Sequence, residues 1–166
     1  MTRLGIAKSA LRTGLAAGLA AAAFAWIAFV GLGGSLGMAR HGALVPMAVF
    51  VVEVLLYAYA GFRLRRSGSD QRTAVVGGLV AGWTNALLSG FPRSAILLLS
   101  HAYMKYLLYT SLGYTAGRLH MPWPPLTLLV ALVGALLAGT ALGAACGSIG
   151  GSFARGDGVT APHQLP

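Results

Sequence analysis

Five apolar runs constrain this chain more than anything else in it. They lie at about 11–34, 43–62, 73–91, 94–117 and 124–148, and the short segments between them hold most of the arginines. Each run is near the roughly 20 residues that an α-helix, rising 1.5 Å per residue, needs to cross a hydrocarbon layer about 30 Å thick. Backbone amides and carbonyls find no water inside a bilayer, so a crossing segment must satisfy them internally, as a helix does. The pattern predicts an all-α, polytopic transmembrane helical bundle of five spans. The bundle forms one domain over 1–151, and a polar tail at 152–166 is expected to be disordered. A four-span variant, in which the fourth run lies on or re-enters the membrane, is the competing count.

Composition agrees with the runs. Hydrophobic residues make up 57% of the chain and charged residues 9%, whereas soluble domains carry about 25% charge. The net charge of +9 raises the question of nucleic acid, yet the basic residues fall in the gaps between runs, where they set membrane orientation. The partners expected are therefore the lipid bilayer and other membrane components, with no nucleic acid. Five crossings with the amino terminus inside put Arg3, Lys8, Arg12, Arg63, Arg65, Arg66, Arg72 and Arg118 in the cytoplasm, and only Arg40, Arg93 and Arg155 outside. That asymmetry favours the cytoplasmic membrane with an internal amino terminus. The first run exceeds the roughly 7–15 apolar residues of a secretory signal, so it reads as a span, although Gly37-Met38-Ala39 imitates a cleavage site. Between the third and fourth runs, Gly90-Phe91-Pro92-Arg93 is expected to break the helix, because proline lacks an amide donor and restricts the residue before it.

Gly139, Gly143, Gly147 and Gly151 recur every four residues in the fifth run, with Ala135 extending the row backward. Four-residue spacing keeps them on one helix face. Lipid gives helices no hydrophobic reason to associate, so close backbone approach along small residues supplies much of the contact. The row reads as packing within the bundle or as the seam of a homo-oligomer. Two similar strings, Gly14-Leu15-Ala16-Ala17-Gly18 and Gly78-Leu79-Val80-Ala81-Gly82, open the first and third runs. Their likeness raises an internal duplication of the kind found in transporters, against chance similarity among Ala, Leu and Gly.

The polar residues inside the runs carry the functional question. Glu53 is the one acid within any run, while Lys105 and His101 stand one helical turn apart in the fourth. A lone charge at mid-bilayer costs about 2.5–3.5 kcal/mol on insertion scales, so it needs a partner. In the five-span arrangement Glu53 and Lys105 lie at similar depths, about 15 and 17 Å from the outer helix ends, which predicts that they pair. His101 and Asn85, nearer the outer side, complete an intramembrane polar cluster. Cys146 has no second cysteine to join, so no intrachain disulfide forms, and it reads as a small packing residue.

No catalytic constellation, phosphate-cradling loop or metal-ligand spacing is visible. His101 is the one histidine deep in a run, too few for a haem held between two axial histidines, and no cofactor or metal is implied. The chain does not read as an enzyme. It reads as a small transport-related protein, a carrier or accessory subunit whose cluster handles a small solute or ion. The alternative is a scaffold or assembly factor, alone or in a larger membrane complex, in which the polar pair and the glycine rows only lock helix packing.

Overall fold

A computed structural model describes residues 3–34, 44–99 and 124–154, and all regular structure among them is helical. The helices are α1 (Arg3–Gly31), α2 (Leu44–Arg66), α3 (Gln71–Asn85), a π-helical turn (Ala86–Gly90), α4 (Phe91–Leu99) and α5 (Pro124–Phe153). Among the described residues, four helical stretches are long and apolar enough to cross a membrane: Ala7–Gly31, Leu44–Arg66, Gln71–Leu97 and Leu128–Phe153.

The third of these corrects the expected break. Pro92 does not end the helix: α3 runs through the π turn into α4 as one rod. The Phe91 amide donates to Ala86 O, five residues back, which is the widened register that defines the turn. Proline still leaves a carbonyl without its usual donor. In an α-helix residue 92 would donate to the carbonyl of Leu88; here the indole Nε1 of Trp26 on α1 donates to Leu88 O at 2.8 Å. A neighbouring helix thus replaces the donor that proline lacks, which is how apolar spans tolerate proline.

The turn between α2 and α3 is built locally. Arg63, Arg65 and Arg66 occupy the last turn of α2, where cations complement the negative end of the helix. Gly68 takes a positive φ of 85°, and the Gly68 and Ser69 amides reach back to Arg65 O and Leu64 O at 3.0 and 3.1 Å. Glycine suits that left-handed position because it has no Cβ to clash. Asp70 then caps α3: its carboxylate accepts from the Thr73 amide at 2.8 Å and from the Thr73 hydroxyl. Those Thr73 bonds hold the Asp70 carboxyl below its ordinary pKa.

Packing centres on α3, which touches α1, α2 and α5. The interior is made of small residues. Ala17, Ala21, Ala60 and Ala81 are buried together with Tyr57 and Cys146, while Leu19, Ile27, Val30, Leu55, Leu129, Leu137 and Ile149 are exposed. A water-soluble bundle would bury the large side chains. The reversed order suits a bundle whose solvent is hydrocarbon and whose helices meet through small residues.

Two faces carry the closest approaches. Gly14 and Gly18 of α1 lie against α3, where a Cβ would come within 2.6 Å of Gly77 O and of Ala81 O respectively. On the other side, Gly139, Gly143, Gly147 and Gly151 are all buried and face α3 of the same chain. A Cβ at Gly139 would lie 2.7 Å from Gly82 O, one at Gly143 2.5 Å from Gly78 O, and one at Gly147 2.7 Å from Ala74 O. Neither helix has room for a methyl group along this line.

These contacts also fix direction. Residues 14 and 18 meet 77 and 81 in rising order, so α1 and α3 run parallel; 139, 143 and 147 meet 82, 78 and 74 in falling order, so α5 runs antiparallel to α3. The Gln71 side chain at the start of α3 donates to Ser148 O near the end of α5 at 2.8 Å. The start of α1, the end of α2, the start of α3 and the end of α5 therefore share one end of the bundle. Five successive crossings would make the first, third and fifth spans parallel and put the start of the first and the end of the fifth on opposite sides, so the described helices do not follow the five-span order. The fourth expected run, 94–117, enters the structure only as part of α4, and the remainder lies outside the described residues.

Candidate functional site

Two helical faces bring polar groups together from the middle of the bundle outward, on the side away from the α2–α3 turn. On α2, Glu53 and Tyr57 stand four residues apart; on the third rod, Asn85, Ser89 and Arg93 follow at the same spacing across the π turn. Four-residue spacing stacks side chains on one face, and the two faces meet. Arg93 Nη2 lies 2.9 Å from Glu53 Oε1, an ion pair whose side chains keep 16% and 14% exposure.

The pair is one end of a chain of hydrogen bonds. Arg93 also donates to Ser89, through Nη2 to Oγ and through Nε to the backbone carbonyl, both at 3.3 Å. The Ser89 hydroxyl donates to Asn85 Oδ1 and lies 3.2 Å from Asn85 O. Asn85 Nδ2 donates to the Tyr57 hydroxyl at 2.6 Å. Ser89 is fully buried, and Asn85 and Tyr57 nearly so. Among the described residues no buried side-chain polar atom lacks a partner, which matters because an unpaired polar group in a low-dielectric interior is costly.

Glu53 and Asn85, both expected in the polar cluster, belong to this one network, joined through Arg93 and Ser89. His101 and Lys105 lie outside the described residues, and so does the expected Glu53–Lys105 pair. The described partner of Glu53 is Arg93, which was expected in a loop on the outer side. It sits in α4 instead, because the rod continues past Pro92. The signal that pointed to it was available: Asn85, Ser89 and Arg93 keep a four-residue period straight through the supposed break.

The site is made of hydrogen-bonding and ionic groups alone. Among the described residues no three histidine, cysteine or acidic side chains gather to hold a metal ion. Cys146 is a buried free thiol packed among alanines beside Tyr57. No family model, curated protein or solved structure matches this chain.

Proposed function

We propose that this chain is a multi-pass integral membrane protein acting as a scaffold or assembly subunit, and that the Glu53–Arg93–Ser89–Asn85–Tyr57 network locks the register of α2 against the third rod. The observation that carries this reading is the continuity of the network, in which each side chain is hydrogen-bonded to another member. A satisfied polar chain specifies one alignment of two helices, since a slip by one residue would strand several groups at once. The basic residues supply the orientation: Lys8, Arg12, Arg63, Arg65, Arg66 and Arg72 belong to the end of the bundle that carries the α2–α3 turn, and the positive-inside rule puts that end in the cytoplasm. Association with a second copy or a larger complex through α5 would use its outer face, because the glycine row is turned to α3.

The carrier reading is the second one, and one observation favours it. An ion pair within a span is unusual, and ionisable groups there commonly mark a solute or proton pathway. Water access separates the two. With Cys146 replaced by Ser, a cysteine at Ser89 should resist a membrane-impermeant thiol reagent, while one at exposed Ser67 reacts. Labelling of the Ser89 position at the Ser67 rate would reject the lock and favour the carrier.

A further inference from the structure

The end of α2 carries a groove that the polar network does not involve. Tyr59, Phe62, Arg63, Arg66 and Ser67 line it, enclosing about 340 Å³, within the roughly 300–1,000 Å³ of small-ligand sites. Phe62, Arg63 and Arg66 stand three, four and seven residues after Tyr59, so all three lie on its side of the helix. Tyr59, Arg63 and Arg66 are exposed. The neighbouring Arg65 is otherwise engaged, donating to Ser69 O at 2.9 Å, and the Ser67 hydroxyl donates to Leu64 O at 2.7 Å. The cationic donors facing the groove are therefore the two guanidinium groups of Arg63 and Arg66, for which the described residues provide no acidic partner.

We propose that this groove binds the phosphate of an acidic phospholipid in the adjoining leaflet, Arg63 and Arg66 holding the headgroup while Tyr59 and Phe62 lie along its acyl chains. The inference rests on the bundle spanning a membrane. Its chemistry follows from the two ends of the groove. Guanidinium groups suit phosphate oxygens, which they meet through paired N–H donors. Tyr59 lies seven residues before Arg66, about 10 Å deeper along the helix, where hydrocarbon begins and an amphipathic aromatic ring is at home. Free phosphate would use the arginine end and leave the aromatic end empty. An acidic lipid is favoured over a zwitterionic one because Arg63 and Arg66 bring two positive charges to the groove and no acid lines it, Asp70 being the one acid described at that end of the bundle.

A comparison groove lies on α1, lined by Lys8, Ser9, Arg12 and Thr13. It has two cations and no aromatic ring, so it controls for charge alone. Full-length protein in detergent, mixed with equal amounts of phosphatidylglycerol and phosphatidylcholine, is read by native mass spectrometry. Phosphatidylglycerol should be retained preferentially, and Arg63→Gln with Arg66→Gln should weaken that binding roughly 10- to 30-fold, while Lys8→Gln with Arg12→Gln changes it by no more than about twofold. Equal losses in the two variants would reduce the effect to diffuse charge and overturn the site. Displacement of the lipid by excess inorganic phosphate would overturn it in favour of a free-anion site. Extraction of the wild-type protein from membranes by alkaline carbonate would sink the membrane reading itself, an outcome visible before any lipid is added.

Discussion

An arginine within an apolar helix stays charged at any ordinary pH, so its partner must hold it there. Arg93 is held by Glu53 and by two groups of Ser89. Removing one member of a buried pair strands the other, which typically costs about 3–5 kcal/mol. Glu53→Ala and Arg93→Ala should each lower the melting temperature and folded yield by an amount of that order. Replacing both with apolar residues of similar volume, Glu53→Met with Arg93→Met, should restore much of the loss, because no charge then remains to be solvated. A double-mutant cycle on thermal unfolding measures the coupling, and simple additivity of the two losses would refute the pairing. The acid itself was legible in the sequence as a residue needing a cation. Arg93 was only half legible as its partner: the four-residue period of Asn85, Ser89 and Arg93 points there, but whether the helix continues past Pro92 is not settled by proline chemistry alone. The decision rests on a remote group, the Trp26 indole, which supplies the donor that Pro92 lacks and lies 62 residues from Leu88 in the chain.

Among the elements, the glycine row shows how spacing and contact divide the information. Period four in 139–151 identifies one face of α5 from the sequence, but which surface that face meets depends on direction, and direction depends on how many crossings precede it. The facing surface is α3, whose Gly78 and Gly82 have the same period. The strings 14–18 and 78–82 are alike for a related reason: each lies at a seam with α3 or within it, where only small side chains fit. This makes a discriminating pair of substitutions. A Cβ at Gly143 would meet backbone atoms of Gly78 and Leu79 at 2.5–3.1 Å, distances that neither helix relieves without moving, whereas one at Gly134 has nothing within 4 Å. Gly143→Ala should therefore lower the melting temperature measurably, with Gly143→Leu worse. Gly134→Ala, on the same helix and with the same gain in helix propensity, should be neutral or slightly stabilising. Equal behaviour at the two sites would mean that close packing against α3 does not hold α5 in place.

At the scale of the whole molecule, the number of crossings decides which side of the membrane each charged segment occupies. The sequence predicts a helical bundle because hydropathy is summed over about 20 residues and survives local error. Span count is more fragile, since a single misread boundary reverses every later element. Here the misread boundary was at Pro92. Once α3 and α4 form one rod, the helix that follows at Pro124 starts from the end that Leu99 approaches, and α5 returns to the end where α1 began. The contacts of Gln71 with Ser148 and of Gly78 with Gly143 and Gly147 hold it in that direction. The charge asymmetry survives the change: Lys8, Arg12, Arg63, Arg65, Arg66 and Arg72 stay at one end, and in chain order Arg155 exchanges sides with Arg118, which leaves the imbalance as large as with five crossings. Both chain ends should accordingly be cytoplasmic. Fusions at residue 166 to a reporter that fluoresces only in the cytoplasm should be bright, and fusions to one that is enzymatically active only after export should be silent. Fusions after Ser35, which follows α1, should give the opposite pair of signals. An exported signal at residue 166 together with an exported signal after Ser35 would require an odd number of crossings, and the antiparallel docking of α5 on α3 would then have to be abandoned.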